Sequence, residues 1–276
     1  AGLLFVMRLM PLTLASSIGG KVLRIAGPFL PAHRIARRNL HRAFPDKDSA
    51  EISRILSGMW DNLGRTAAEY PHHSTIRAEA SRRLEIRGSE RLEDITANPR
   101  PAIFFSAHLA NWEVLPIASA LRGLPVNPVF RSPNNPYLKD LFEARKPHPD
   151  MQLVAKGPRA ARELITILKQ KRSVALLIDQ KLREGIPVNF FGREAMTASA
   201  FAEFAQILEC DIYPARVERL PGARFRVTLY PPLEKPDTTD RKEAVRSLTQ
   251  TATAMIETWI RERPSEWFWV HRRWPD

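Results

Sequence analysis

One cysteine, Cys210, stands in a chain of 276 residues, so neither an intrachain disulfide nor a thiolate metal cluster can be built. The dinucleotide-binding glycine fingerprint, the Walker loop and the Gly-x-Ser-x-Gly elbow are all missing, as is any His/Cys cluster with metal-ligand spacing. His72 and His73 are adjacent, which does not suit shared ligation from one helix face, and solvent exposure is expected for both. Acidic residues are in short supply: 30 Asp and Glu face 42 Lys and Arg, a net charge of +12. That surface favours polyanions, whether nucleic acid, anionic lipid or an acidic carrier protein. A long apolar run is lacking too. Gly2–Leu12 is hydrophobic but is interrupted by Arg8 and Pro11, and a spanning helix needs about 20 mainly apolar residues.

What the opening does offer is apolar and basic character together. Residues 1–30 read as an amphipathic or partly inserted membrane-associating segment, with Lys21, Arg24, Arg34, Arg37 and Arg38 set to meet anionic headgroups. The bland alternative is a first helix packed on the domain with a solvated basic face. No small-residue cleavage site follows a clean apolar core, which argues against a secretory signal. Residues 31–276 read as one domain, and 44% apolar content supplies an ordinary globular core.

Within that domain, helical spacing covers 34–70, with Ile52, Ile55, Leu56 and Met59 on one face. A short strand is expected at 84–88. Apolar runs at 102–105, 126–130, 151–154 and 174–178 then alternate with helical patterns near 111–122, 135–145 and 158–171. A helix at 197–209, strands at 212–217 and 225–230 and a helix over 240–262 complete the series. This alternation predicts an α/β fold with a largely parallel central sheet flanked by helices. Ligands of such sheets gather beyond the strands' carboxyl ends. His108, Arg131 and Asp179 each follow such an end.

Phe104-Phe105-Ser106-Ala107-His108-Leu109-Ala110-Asn111-Trp112-Glu113 is the richest stretch. Histidine is the usual side chain for taking a proton from an alcohol near neutral pH, and a carboxylate in reach fixes its tautomer. His108 and Glu113 would not share a face of one helix. They can meet if His108 sits in the loop and Glu113 in the first turns after an Asn111 N-cap. That helix start would also favour an anionic substrate or a developing oxyanion. The alternative is a loop histidine and an unrelated surface glutamate. Arg131, before a Pro/Asn-rich turn, can bind phosphate or carboxylate, or simply be solvated. Asp179 could order Arg131 or another basic residue, and Phe190 and Phe191 could line an apolar groove or fill the core. The tail from Trp267 to Trp274 alternates bulky and polar residues. An interfacial belt and a stacking platform are possible, and an edge strand with buried aromatics is favoured.

Taken in order, Arg37-Arg38-Asn39-Leu40 with Ala43-Phe44-Pro45, His108-x4-Glu113, Phe130-Arg131-Ser132-Pro133-Asn134-Asn135-Pro136, Asp179-Gln180-Lys181, Phe190-Phe191-Gly192 with Thr197, and Trp269-Val270-His271-Arg272-Arg273-Trp274 resemble the late acyltransferases of lipid A biosynthesis, within the lysophospholipid acyltransferase superfamily. The resemblance spans nearly the whole chain. It implies a glycerolipid acyltransferase-like fold and an enzyme on the cytoplasmic face of the inner membrane. Such an enzyme moves a fatty acyl chain from acyl carrier protein to a hydroxyl of a phosphorylated, Kdo-bearing lipid A precursor, with no cofactor and no metal. On this reading His108 is the general base and Glu113 its partner. Arg131 binds a phosphate or headgroup, Asp179 holds neighbouring basic residues, and Asn111, Gln180, Phe190 and Phe191 contribute to substrate binding. Neither Ser106 nor Cys210 sits in a recognisable nucleophile setting, although the position of Ser106 leaves a covalent route open. Two rival readings stand beside this one. The acceptor could be a phosphatidylinositol mannoside, an ornithine lipid or a lysophospholipid, or the protein could bind nucleic acid through its basic surface. The second rival leaves the histidine and carboxylate unexplained, and no nucleic-acid partner is expected.

Overall fold

A computed structural model describes residues 7–130 and 146–275. Arg131 and the helix expected near 135–145 lie outside the described residues. The strands are β1 (Leu84–Arg87), β2 (Ala102–Ser106), β3 (Asn127–Phe130), β4 (Val154–Ala155), β5 (Ser173–Leu177), β6 (Lys181–Phe190), β7 (Arg193–Thr197), β8 (Asp211–Leu220) and β9 (Arg224–Leu229). The main helices are α1 (Leu12–Ala26), α2 (Pro31–Ala43), α3 (Ser49–Glu69), α4 (Glu90–Ala97), α5 (Leu115–Ala120), α6 (Ala160–Lys169), α7 (Ala200–Leu208) and α8 (Arg241–Glu262).

Seven strands form one sheet in the order β1-β9-β8-β2-β5-β3-β4. All its pairings are parallel except β8–β9. The α/β fold is therefore the one the alternating pattern predicts. β2 lies near the centre because Ala102-Ile103-Phe104-Phe105 is apolar on both faces, and each of its residues is buried. It pairs with β5 on one side and β8 on the other, with Ser106 opposite Leu177 and Phe105 opposite Pro214. The strand expected at 151–154 shrinks to the two residues of β4.

α3 begins with a capping box in which Asp48 accepts from the Glu51 N–H and Glu51 returns to the Asp48 N–H. Its Ile52, Ile55, Leu56 and Met59 face the main core. α1 lies against α3 at very short range. A Cβ added at Gly19 would run into the Gly64 carbonyl and the Ala68 methyl, so both glycines are needed for the approach. α1 thus buries Leu12, Ala15, Ser16, Gly19 and Gly20 while leaving Leu14, Val22 and Ile25 in solvent, with Leu9, Phe29 and Leu30 beside them. No helix of the described residues is long and apolar enough to cross a membrane.

Three local expectations are corrected. His72 and His73 are buried, and the His72 Nε2 lies 2.9 Å from the Met7 carbonyl oxygen. The tail is not an edge strand: it makes one isolated bridge, Leu109 with Trp267, and otherwise runs in turns. The helix after Asn111 is short, a 3-10 turn at Trp112–Val114 followed by the six residues of α5. The hydrophobic pattern does not reveal the β6–β7 hairpin. It is antiparallel, with a register shift between Lys181 and Ile186.

Candidate active site

The register of β2 and β5 sets the site. Ser106 lies opposite Leu177, and two residues past each strand end stand His108 and Asp179, side by side. The Asp179 Oδ1 is 2.8 Å from the His108 Nδ1, and its Oδ2 accepts from the His108 backbone N–H at 2.9 Å. Oδ2 also accepts from the Trp267 indole N–H at 2.7 Å. Asp179 is fully buried. Burial alone would raise its carboxyl, but the neighbouring imidazole and the bonds from His108 and Trp267 outweigh it and hold the group down at about 2.

An ionised Asp179 only accepts, so the His108 Nδ1 carries the ring proton and Nε2 the lone pair. The His108 side chain retains 18% of its exposure, enough to meet a substrate. The Gln180 Nε2 lies 3.4 Å from the His108 Nε2, a long and weak bond that a hydroxyl can displace. The rings of Trp112 and Phe268 stand 4.9 and 5.8 Å from the imidazole and give it an apolar wall.

The loop behind the base is fixed from below. Ala110 holds a φ of 50°, an uncommon conformation for a residue with a Cβ. Its carbonyl accepts from Thr66 and Asn62, and its N–H donates to the Glu266 carbonyl. Asn111 is fully buried. It accepts from the Glu113 N–H at 3.2 Å, as an N-cap does, and donates to the Glu69 carboxylate at 2.9 Å. Glu69 in turn accepts from Ser16 of α1 and from Arg219 of β8.

The expected site residues thus separate. His108, Asp179 and Gln180 come together. Asn111 faces the interior, so its place is structural support and not substrate contact. Glu113, half-buried on the 3-10 turn, is not the carboxylate on the imidazole; that place is held by Asp179, and not by way of a neighbouring basic residue. Phe190 and Phe191 are buried against Trp267, Trp269 and Trp274, in packed core and not along an open groove. Ser106 is buried with no hydrogen bond to its hydroxyl among the described residues, and Cys210 is buried, its thiol pushed up to about 11 by burial. Neither is set up as a nucleophile. Trp267 was missed as a site residue. Its signal was present in the aromatic tail, but only the fold shows where its N–H goes. Among the described residues, no group of His, Cys, Asp and Glu side chains is gathered to hold a metal ion.

The family model described as bacterial lipid A biosynthesis acyltransferase matches residues 1–276. No curated protein matches the chain. Among solved structures, the chain is similar to the 1-acyl-sn-glycerophosphate (LPA) acyltransferase from Thermotoga maritima, at 13% identity and a TM-score of 0.43, over 91% of this chain and 97% of that one.

Proposed function

The chain belongs to the bacterial lipid A biosynthesis acyltransferase family, and on that premise we propose direct acyl transfer with His108 as general base. The donor is an acyl thioester of acyl carrier protein, and the acceptor is a hydroxyl of a Kdo-bearing lipid A precursor. One observation carries the reading: a buried carboxylate fixes the His108 Nδ1–H and leaves Nε2 as a base at the sheet's carboxyl end.

Nε2 takes the proton from the acceptor hydroxyl as its oxygen attacks the thioester carbonyl carbon. A C–O bond forms, the C–S bond breaks, and the departing thiolate recovers the proton from the imidazolium. Asp179 stabilises that imidazolium and holds the ring in place, without itself taking the proton. Glu113 adds a second carboxylate on the turn after the loop, and Arg131, beyond β3, serves the phosphorylated headgroup.

The enzyme works at the cytoplasmic face of the inner membrane. Leu9, Leu14, Val22, Ile25, Phe29 and Leu30 are exposed around α1, with Lys21, Arg24 and Arg34 exposed nearby. Apolar groups flanked by cations suit an anionic lipid surface. The +12 charge likewise suits an acidic carrier.

The test is His108→Ala in a purified assay with labelled acyl carrier protein and the lipid A precursor. Loss of transfer in a variant that still folds is expected, with a lowered thermal midpoint because the buried Asp179 loses its imidazole partner, and retained turnover would overturn the base assignment. Mass spectrometry of lipids from cells with and without the gene tests the acceptor. A change confined to phospholipids would move it to a lysophospholipid.

A further inference from the structure

The tail motif His271-Arg272-Arg273-Trp274 has no part in the chemistry above, yet it reaches the site. The His271 Nε2 lies 2.8 Å from the backbone nitrogen of Lys181 and accepts its N–H. That assigns the ring: Nε2 has the lone pair and Nδ1 the proton. The His271 carbonyl is itself held by the Asn39 amide of α2 at 2.6 Å, and the same amide reaches the Trp269 carbonyl at 2.8 Å. The imidazole is therefore an anchored acceptor and not a loose side chain.

What it anchors is the short span from Asp179 to Lys181. This span carries both groups that touch the base, the Asp179 carboxylate on Nδ1 and the Gln180 amide by Nε2. Lys181 opens β6, and its next registered contact with β7 is displaced to Ile186, so the ladder holds this end weakly. At the other side of the span, the Ile178 N–H is fixed to the Ser106 carbonyl. Between these two ties the chain must turn so that the Asp179 side chain enters the interior while Gln180 stays half-buried beside the imidazole. We infer that His271 is a positioning residue for acyl transfer, its Nε2 holding the Lys181 N–H so that Asp179 and Gln180 bracket the His108 ring. This rests on the reading of His108 as the base.

The geometry also specifies which substitutions preserve the tie. An amide oxygen can replace an imidazole nitrogen as acceptor, so His271→Gln retains what His271→Ala removes. The same bond is removed from its other end by Lys181→Pro, which lacks the N–H and sits at the first residue of a strand, where proline is tolerated.

The experiment measures kcat and KM of the full chain with acyl carrier protein thioester and the lipid A precursor, together with thermal midpoints. His271→Ala should lower kcat by roughly 10-fold or more, as small misplacements of catalytic groups do, with KM and the midpoint little changed. His271→Gln should restore kcat, and the His271→Ala/Lys181→Pro pair should be no worse than either single change. The Nδ1–H proton resonance of His108, shifted downfield by its carboxylate, should broaden in the Ala variant and sharpen in the Gln variant. An unaltered kcat in His271→Ala overturns the inference, as does a Gln variant that is folded yet as slow as Ala. Should the wild-type chain transfer no acyl group to this acceptor, the functional reading fails separately. The His108 resonance in His271→Ala and His271→Gln then decides the positioning role.

Discussion

The two oxygens of Asp179 do different work on His108: Oδ1 meets the ring at Nδ1, while Oδ2 takes both the His108 backbone N–H and the Trp267 indole N–H. Two donors on one oxygen decide how an amide would sit there. In Asp179→Asn the carbonyl oxygen stays with the two N–H groups, and the NH2 turns to the imidazole. Nδ1 must then accept, the ring proton moves to Nε2, and the base is lost. A fall in kcat approaching about 10⁴-fold is expected, as for a triad aspartate made an amide. Steady-state assays of the purified variant measure it, and a loss under tenfold would show that tautomer control is not what Asp179 supplies.

That pairing was half legible in the sequence. His108 and Asp179 both follow apolar strands at their carboxyl ends, and a parallel sheet brings such positions to one edge. Which strands would be neighbours was not legible, because order in a sheet is set by crossovers and not by periodicity. Glu113 was therefore the nearer carboxylate in sequence, and Asp179, 71 positions away, the nearer in space. The hairpin of β6 and β7 is not legible because Gly185, Pro187 and a register shift break the alternation a strand normally shows. The tail misled in the opposite way. Its alternation looks like a strand, but its polar groups bond to Asn39, the His108 loop and Lys181 instead of to a neighbouring ladder.

Glu69 carries the support under the loop. It is fully buried and accepts from Ser16 at 2.6 Å, from Asn111 at 2.9 Å and from the Arg219 guanidinium. Glu69→Leu leaves the Arg219 charge buried without its carboxylate, a change that typically costs about 3–5 kcal/mol. Adding Arg219→Met should recover only the part due to the unpaired guanidinium, since the buried Ser16 and Asn111 still lack their acceptor. Urea denaturation of the single and double variants tests this. A single variant within about 1 kcal/mol of wild type would mean that the pair is effectively solvated.

Acid should weaken the fold in two steps. Burial, helped by Arg273, His108 and Lys156 and opposed by Asp179, lowers His271 from 6.5 to about 4. Between those values the unfolded chain takes up a proton that the folded one refuses, so stability falls as pH falls through that window. Asp179 has its ordinary value near 3.8 and its folded value near 2, so its contribution is present above about 4 and drains away as pH drops toward 2. Denaturation midpoints measured from pH 7 to pH 3 should decline throughout, and His271→Gln should flatten the curve between pH 6.5 and 4. An equal slope in that variant would assign the upper window to other groups.

α3 leaves one face of α1 uncovered, and that face is apolar. Ile25 and Phe29 are 70% and 85% exposed, and burying such side chains in a lipid interface is worth roughly 1.5–3 kcal/mol each at full burial. Neither residue is needed for the packing of α1, which rests on Gly19, Gly20 and Ala15. Ile25→Asp with Phe29→Asp should therefore leave the thermal midpoint unchanged while reducing co-sedimentation with phosphatidylglycerol-rich vesicles by at least tenfold. Raised salt should weaken wild-type binding only in part, because screening removes the attraction of Lys21, Arg24 and Arg34 but not the apolar contribution. Binding abolished by salt alone would indicate a purely electrostatic contact. Vesicle binding untouched by the double aspartate change would place the lipid-facing surface elsewhere on the molecule.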